Sequence, residues 1–328
     1  MILSRCRDER GQSFVLFALA LVMVCGMAAL VLDVGNWFRD KRRLQGTVDA
    51  AALAGAQQLP DNPAAAKTMA LDYANKNGGD VAGANIVVTS SYQPNDTLSV
   101  KGQRNDAGIF SSVIFKGAGN ADITARAKVR VGPPAQALAV APMVVHCNHP
   151  LIQNCNNNHM PQFGVPTTLP FSALGAPGAF GMLNLDGSTG TVGTSKEAAW
   201  ISHGFDKYLP LGMYASDPGA KFSSSNVQGA LSGRIGTVLL FPVFRTLNGT
   251  GQNAQYDIIG WIGFYLTGYT VRGNNATLSG YFTEYIAQGI LAQSSPGSGG
   301  VPSSFFGVKS IQLIDACPNS SNDNCPFP

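Results

Sequence analysis

The densest cluster of metal-ligating side chains is His146, Cys147, His149, Cys155 and His159, which crowd into one Asn-rich stretch, HCNHPLIQNCNNNH. Imidazole and thiolate are the usual ligands of zinc, but the spacing matches no familiar finger, and Asn is a poor zinc ligand. The alternative chemistry is oxidation. Cys147 and Cys155 form one C-x7-C pair, and Cys317 and Cys325 form a second in CPNSSNDNC. Four cysteines allow three connectivities. The short loops, Cys147 to Cys155 and Cys317 to Cys325, close at least entropic cost and are favoured. An even count in a domain held outside a membrane points to disulfides, so no metal is expected.

Other constellations are thinner. An apolar strand, Phe180 to Leu185, runs into Asp186-Gly187-Ser188-Thr189-Gly190. This is similar to the Asp-x-Ser-x-Ser set that supplies oxygen ligands to Mg²⁺ in von Willebrand A-type domains. Gly190 stands where the last Ser belongs, and no alternation of strands and helices follows. A Gly- and Ser-rich turn is the simpler reading of Asp186 and Ser188. His203, with Ser202 beside it and Asp206 three residues on, has the composition of a triad, but no Gly-x-Ser-x-Gly elbow accompanies it. Glu197 and Glu284 have the types of an acid and base pair without any local spacing that joins them. Gly249 to Ala254, GTGQNA, partly fits a dinucleotide fingerprint. A strand-like run follows where that motif needs a helix, so a hairpin loop is expected. No catalytic residue and no cofactor is predicted.

The elements that would position such groups begin with Phe14 to Leu32, FVLFALALVMVCGMAALVL, which carries no charge. As a helix it would be about 28 Å long, close to the ~30 Å hydrocarbon thickness of a bilayer. Its Phe, Val and Leu residues favour insertion by about 3 to 7 kcal/mol. Phe14, Leu16, Leu19, Val22, Leu30 and Leu32 are therefore assigned to a membrane anchor, behind a cytoplasmic head at 1–13. The apolar run exceeds a signal-peptide core and helical periodicity continues past it, so the anchor is expected to be retained. Arg5, Arg7 and Arg10 precede the segment, whereas Arg39, Lys41, Arg42 and Arg43 follow it. Flanking charge gives a near tie in orientation. Long downstream domains cross largely regardless of charge, and the paired cysteines place the body outside.

Past Asp33 the helical period continues, with Leu44, Val48, Ala52, Gly55 and Leu59 on one stripe until Pro60 stops it. Such small residues let another helix approach closely. A second helix is predicted over 63–77, with Pro63 in its first turn and Gly78-Gly79 as its stop. Strands follow over 86–92, 97–102 and 123–131, with a short helix over 107–115, completing a small α+β module at 33–132. Pro133-Pro134 opens a second region at 133–328, with apolar runs at 179–185, 237–244, 256–269, 276–286 and 305–314. It is expected to be mainly β with one or two helices, over 195–203 and 226–235. Charged residues make up 12%, about half the typical ~25%, and the net charge is +3 without a basic stripe beyond Arg43. That excludes a phosphate-tracking nucleic-acid surface.

Arg10-Gly11, the apolar helix, Asp33-Val34-Gly35, the basic group and Asp49-Ala50-Ala51-Ala52-Leu53-Ala54 together resemble the N-terminal module of TadE/TadG-like proteins of the tight-adherence (Tad/Flp) pilus-assembly system. The resemblance implies a bacterial cytoplasmic-membrane protein with pilus-assembly or pilin-like partners and a pilin-like α+β module. Pilin-like members carry a Glu five residues after the Gly, where this chain has Leu16. Cutting by a prepilin peptidase is accordingly not expected. The functional expectation is a non-enzymatic, membrane-anchored component of a pilus or secretion apparatus, acting through helix packing and protein contacts. The alternative is an anchored surface domain that binds or hydrolyses an external ligand.

Overall fold

The computed structural model describes residues 10–91, 93–110, 120–155, 161–171, 179–188, 191–218, 221–250, 253–273, 275–291 and 306–314. The described residues fall into two compact units, one made of those within 1–89, 97–129 and 313–314, the other of those within 90–96 and 130–312.

The first unit is built on α1 (Arg10–Ala56), a continuous helix of 47 residues. A turn containing Pro60 leads into α2 (Pro63–Lys76). Asn62 caps α2: its side-chain oxygen accepts from Ala65 N at 3.0 Å, satisfying an amide that lacks an intrahelical partner. Pro63 at the first helical position loses no hydrogen bond there. At the other end Gly78 and Gly79 adopt positive φ, and Gly79 N donates back to Ala74 O at 2.9 Å, closing the helix. Ala66, Ala70 and Ala74 recur every fourth residue and are the buried face of α2. β1 (Ile86–Thr89) pairs antiparallel with β2 (Thr97–Ala107), Ile86 opposite Val100. β3 (Asn120–Gly132) lies beside β2. Along β3, Ile123, Ala125, Ala127, Val129 and Val131 are buried, alternating with Thr124, Arg126, Lys128 and Arg130. The helix expected over 107–115 does not begin at Ala107, which closes β2, and Ile109 and Phe110 sit in a turn. Residues 111–115 lie outside the described ones.

The second unit opens with β4 (Pro134–Ala137), β5 (Val145–His146), β6 (Pro166–Phe171) and β7 (Ala179–Leu183). Then come α3 (Thr194–His203), β8 (Leu209–Pro210), β9 (Gly212–Pro218) and α4 (Ser225–Gly233). It closes with β10 (Val238–Asn248), β11 (Gln255–Arg272), β12 (Asn275–Thr283), β13 (Tyr285–Ile286), β14 (Gly289–Leu291) and β15 (Val308–Ile314). Its main sheet runs β5-β10-β11-β12-β6, and β9 pairs with the start of β11 and carries β7. At β10 and the middle of β11 both faces of that sheet are covered. On one, Phe241, Phe264 and Phe282 meet Ile201 of α3 and Val227 and Leu231 of α4. On the other, Tyr256 and Trp261 meet Leu183, Trp200 and Phe205. The apolar runs predicted as strands are long because burial on both sides leaves no regular polar alternation. Two smaller groups complete the unit: β14-β4-β8, and β13 parallel to β15. The architecture is α+β, a long apolar helix and small module followed by a mainly β region with two helices.

Candidate functional site

α1 divides into two halves with opposite surroundings. From Phe14 to Leu32 its large side chains are exposed: Phe14 by 73%, Leu16 by 62%, Leu19 by 58%, Val22 by 70%, Leu30 by 67% and Leu32 by 54%. It is the helix among the described residues long and apolar enough to cross a membrane. Leaving that much apolar surface in water would be heavily unfavourable, so a non-aqueous environment is required there.

From Leu44 onward the small-residue stripe is buried. Leu44, Val48, Ala52 and Leu59 are at most 3% exposed. A Cβ on Gly55 would lie 2.6 Å from Ala66 O, 2.7 Å from Leu98 Cδ2 and 2.9 Å from Ala70 Cβ. A Cβ on Gly102 of β2 would fall 2.8 Å from Leu44 Cδ1 and Val48 Cγ1. The close-approaching helix that the stripe anticipates is therefore α2 of the same chain, with β2 beside it. Thr47 Oγ1 adds a 2.8 Å hydrogen bond to Asn77 O at the far end of α2. The helix-packing stripe is thus occupied from within the chain.

Between the halves, Asp33 is buried and its carboxylate accepts from Phe110 N at 3.1 and 3.2 Å. This bond ties the tip after β2, with Ile109 and Phe110 exposed, to the point where the apolar run ends. Two turns on, Asp40 of α1 meets Asp106 of β2. Their mutual hydrogen bond raises the Asp106 carboxyl and lowers that of Asp40, so the pair retains a proton more readily than two isolated carboxylates. Arg39, 3.6 Å from Asp40, and Arg104, 4.0 Å from Asp106, offset the remaining charge.

The histidine and cysteine loop follows β5. Cys147 and Cys155 are disulfide-bonded, with Cα atoms 4.9 Å apart. His146 has its ring nitrogen among the sulfur atoms, but sulfurs bonded to each other are not thiolate ligands. His146 Nδ1 accepts from Asn148 N at 2.9 Å, and burial lowers the pKa of both His146 and His149. Their rings stand edge-on to Phe244 and Phe282, with centroids 4.7 and 5.2 Å apart respectively. With Val144, Leu169 and Phe171 they line a cavity of about 270 Å³. His159, Cys317 and Cys325 lie outside the described residues.

The other sequence candidates are not brought together. Asp186 Oδ1 accepts from Ser188 N at 2.9 Å and from Ser188 Oγ at 2.6 Å, while Oδ2 pairs with Lys196. Lys196, then the Ser188 bonds, hold the Asp186 carboxyl down at about 2. A cation at Asp186 would face that ammonium, and both oxygens already have partners. Thr189 and Gly190 lie outside the described residues. His203 is exposed in the last turn of α3, and Asp206 is exposed beyond Gly204. Glu284 pairs with Lys309 at 3.6 Å, whereas Glu197 faces Lys221 at 3.7 Å, so the two glutamates serve different lysines. Gly249, at φ 81, and Thr250 form the turn between β10 and β11, as a hairpin loop requires. Gly251 and Gln252 are not described.

Sequence reasoning missed the most unusual polar group, Glu197 with Asp217 and Lys221. Glu197 and Asp217 are fully buried and Lys221 nearly so. Lys221 Nζ lies 3.1 and 3.0 Å from the two Asp217 oxygens and also donates to Val192 O. Val192 N donates to Asp217 Oδ1 at 3.1 Å. Neither Glu197 oxygen has a hydrogen-bond partner. Burial, then the neighbouring Asp217 carboxylate, pushes the Glu197 carboxyl up to about 9, so it is neutral at pH 7. A signal existed: Glu197 shares the buried face of α3 with Trp200 and Ile201, three and four residues on.

The long helix has one exposed half that is long and apolar enough to cross a membrane and one half packed into a small α+β unit. Residues 11–58 match the family model described as putative Flp pilus-assembly TadE/G-like. The match covers α1 from Gly11 onward and the first two residues of the turn beyond it, and stops before α2. No curated protein and no solved structure matches the chain.

Proposed function

We propose that this chain is a non-enzymatic component of a Tad/Flp-type pilus-assembly or surface-secretion apparatus, held in the bacterial cytoplasmic membrane by Phe14 to Leu32. Residues 1–13 face the cytoplasm, and the module at 33–132 and the β region at 133–328 lie outside. The observation that carries this reading is the division of α1, whose apolar exposed half falls within the segment matched to the pilus-assembly family. Because the small-residue stripe is filled by α2, contacts with other pilin-like proteins are assigned to the exposed apolar half and to the outer surface of the body. The Asp33 to Phe110 bond supports a fixed stance at the membrane, since it holds Ile109 and Phe110 where the apolar run ends.

The test is purification of the full chain from membranes in mild detergent. Co-purification with other single-helix pilus-assembly proteins is expected. Recovery as a soluble, partnerless monomer would contradict the proposal. The cavity beside the disulfide loop favours a second reading, a ligand-binding surface domain on the same anchor. Binding of a small apolar ligand that perturbs the His146 and His149 resonances would support it.

A further inference from the structure

We propose that Lys221 and Asp217 condense to an amide inside the folded protein, with Glu197 relaying the proton between them. Three observations converge. The nucleophile and the acyl group are already in contact, with Lys221 Nζ 3.0 and 3.1 Å from the two Asp217 oxygens. Those two oxygens flank Cγ, the atom to be attacked, so the proximity that favours reaction between held groups is already supplied. The group is withdrawn from water, which strips the ammonium and the carboxylate of the solvation that keeps them unreactive. Glu197 is a buried carboxyl with no hydrogen-bond partner, and its Oε1 lies 3.7 Å from Lys221 Nζ.

The step balances without a co-reactant. As an ion pair neither group reacts. One proton moves from Nζ to the Asp217 carboxylate through Glu197, which gives an amine and a carboxylic acid. The charge of the pair is zero before and after, so the dry interior does not oppose the transfer. The Nζ lone pair then attacks Cγ and the N–C bond forms. The Cγ–OH bond breaks, the hydroxyl leaves with a second Nζ proton passed by Glu197, and one water is released. Glu197 ends neutral, as it began.

The surroundings also suit the product. Val192 O, which accepts from Nζ, would accept from the amide N–H, and Val192 N, which donates to Asp217 Oδ1, would donate to the amide carbonyl. Both polar groups of the new bond have partners in place, and a buried ion pair is replaced by a neutral group. Pro218 follows Asp217 and has no backbone N–H, so the competing loss of water to a cyclic imide with the next residue is closed.

The experiment is mass spectrometry of the full purified chain. Trypsin normally cuts after Lys221, separating the peptides Tyr208–Lys221 and Phe222–Arg234. With the amide in place that cut is blocked, and a single peptide from Tyr208 to Arg234 appears, one water lighter than its sequence. Glu197→Gln, a neutral isostere, should fold with an unchanged circular dichroism spectrum and yield the two separate peptides. Lys221→Arg should likewise lose the light peptide. Two unmodified peptides from the wild-type chain, as purified and after prolonged incubation, would overturn the proposal. A cross-linked peptide persisting in Glu197→Gln would overturn the relay.

Discussion

Gly55 and Gly46 lie on the same helix, and exchanging each for Ala separates propensity from packing. Both substitutions restrict the unfolded chain and should gain about 1 kcal/mol of helix propensity. At Gly46 nothing lies within 4 Å of the added Cβ, so the gain is realised in full. At Gly55 the Cβ would meet Ala66 O at 2.6 Å and Ala70 Cβ at 2.9 Å, a carbonyl and a methyl on a helix that cannot yield without moving. Overpacking of this kind costs about 1 to 3 kcal/mol. Gly55→Ala should therefore be about 1 to 3 kcal/mol less stable than Gly46→Ala, despite identical chemistry. Thermal or denaturant unfolding of the full chain in micelles, followed by helical circular dichroism, measures the difference. Equal stabilisation by both substitutions would refute the packing of α1 on α2.

Three further outcomes are expected. Glu197 has a folded pKa of about 9, above the ordinary carboxyl range, so between the two values the folded state holds a proton that the unfolded state has lost. Stability from this group is fully present below the unfolded value and falls as pH rises toward 9, with a slope of at most about 1.4 kcal/mol per pH unit; Glu197→Gln should flatten that slope in pH-dependent unfolding. Replacing Cys147 and Cys155 by Ala reopens a short loop and should cost about 2.5 kcal/mol in denaturant unfolding. Asp33→Ala removes the acceptor of Phe110 N and should speed exchange of that amide measurably by hydrogen-exchange mass spectrometry, while amides in β10 and β11 stay protected.

The elements most legible in the sequence are those where one physical requirement dominates. The anchor needs length and apolarity alone, and β10 and the middle of β11 are buried on both faces, so their apolar runs stand out. β6 was hidden because Pro166 and Pro170 argue against a strand, yet it lies at an edge of the main sheet, where a missing N–H is tolerated. β9 was hidden by Gly212 and by Asp217 and Pro218 at its end. The stripe from Leu44 to Leu59 announced a close helix contact, but periodicity on one helix does not say which helix fills it. Glu197 near the start of α3 has the appearance of an acidic residue favoured by the helix dipole, and its charged neighbours Asp217 and Lys221 come from β9 and beyond, which local reasoning does not join to it. Asp33 marks the end of the anchor in the sequence, while its bond to Phe110 spans a separation that local reasoning does not reach.

Pilus assembly from a membrane anchor is the role proposed for the chain. Removing the gene from the host bacterium and counting surface fibres by electron microscopy tests it most directly, with add-back of the full chain and of a secreted form lacking Phe14 to Leu32. Loss of fibres is expected, restored by the full chain and not by the anchorless form. Fibres unchanged in the absence of the protein would contradict it.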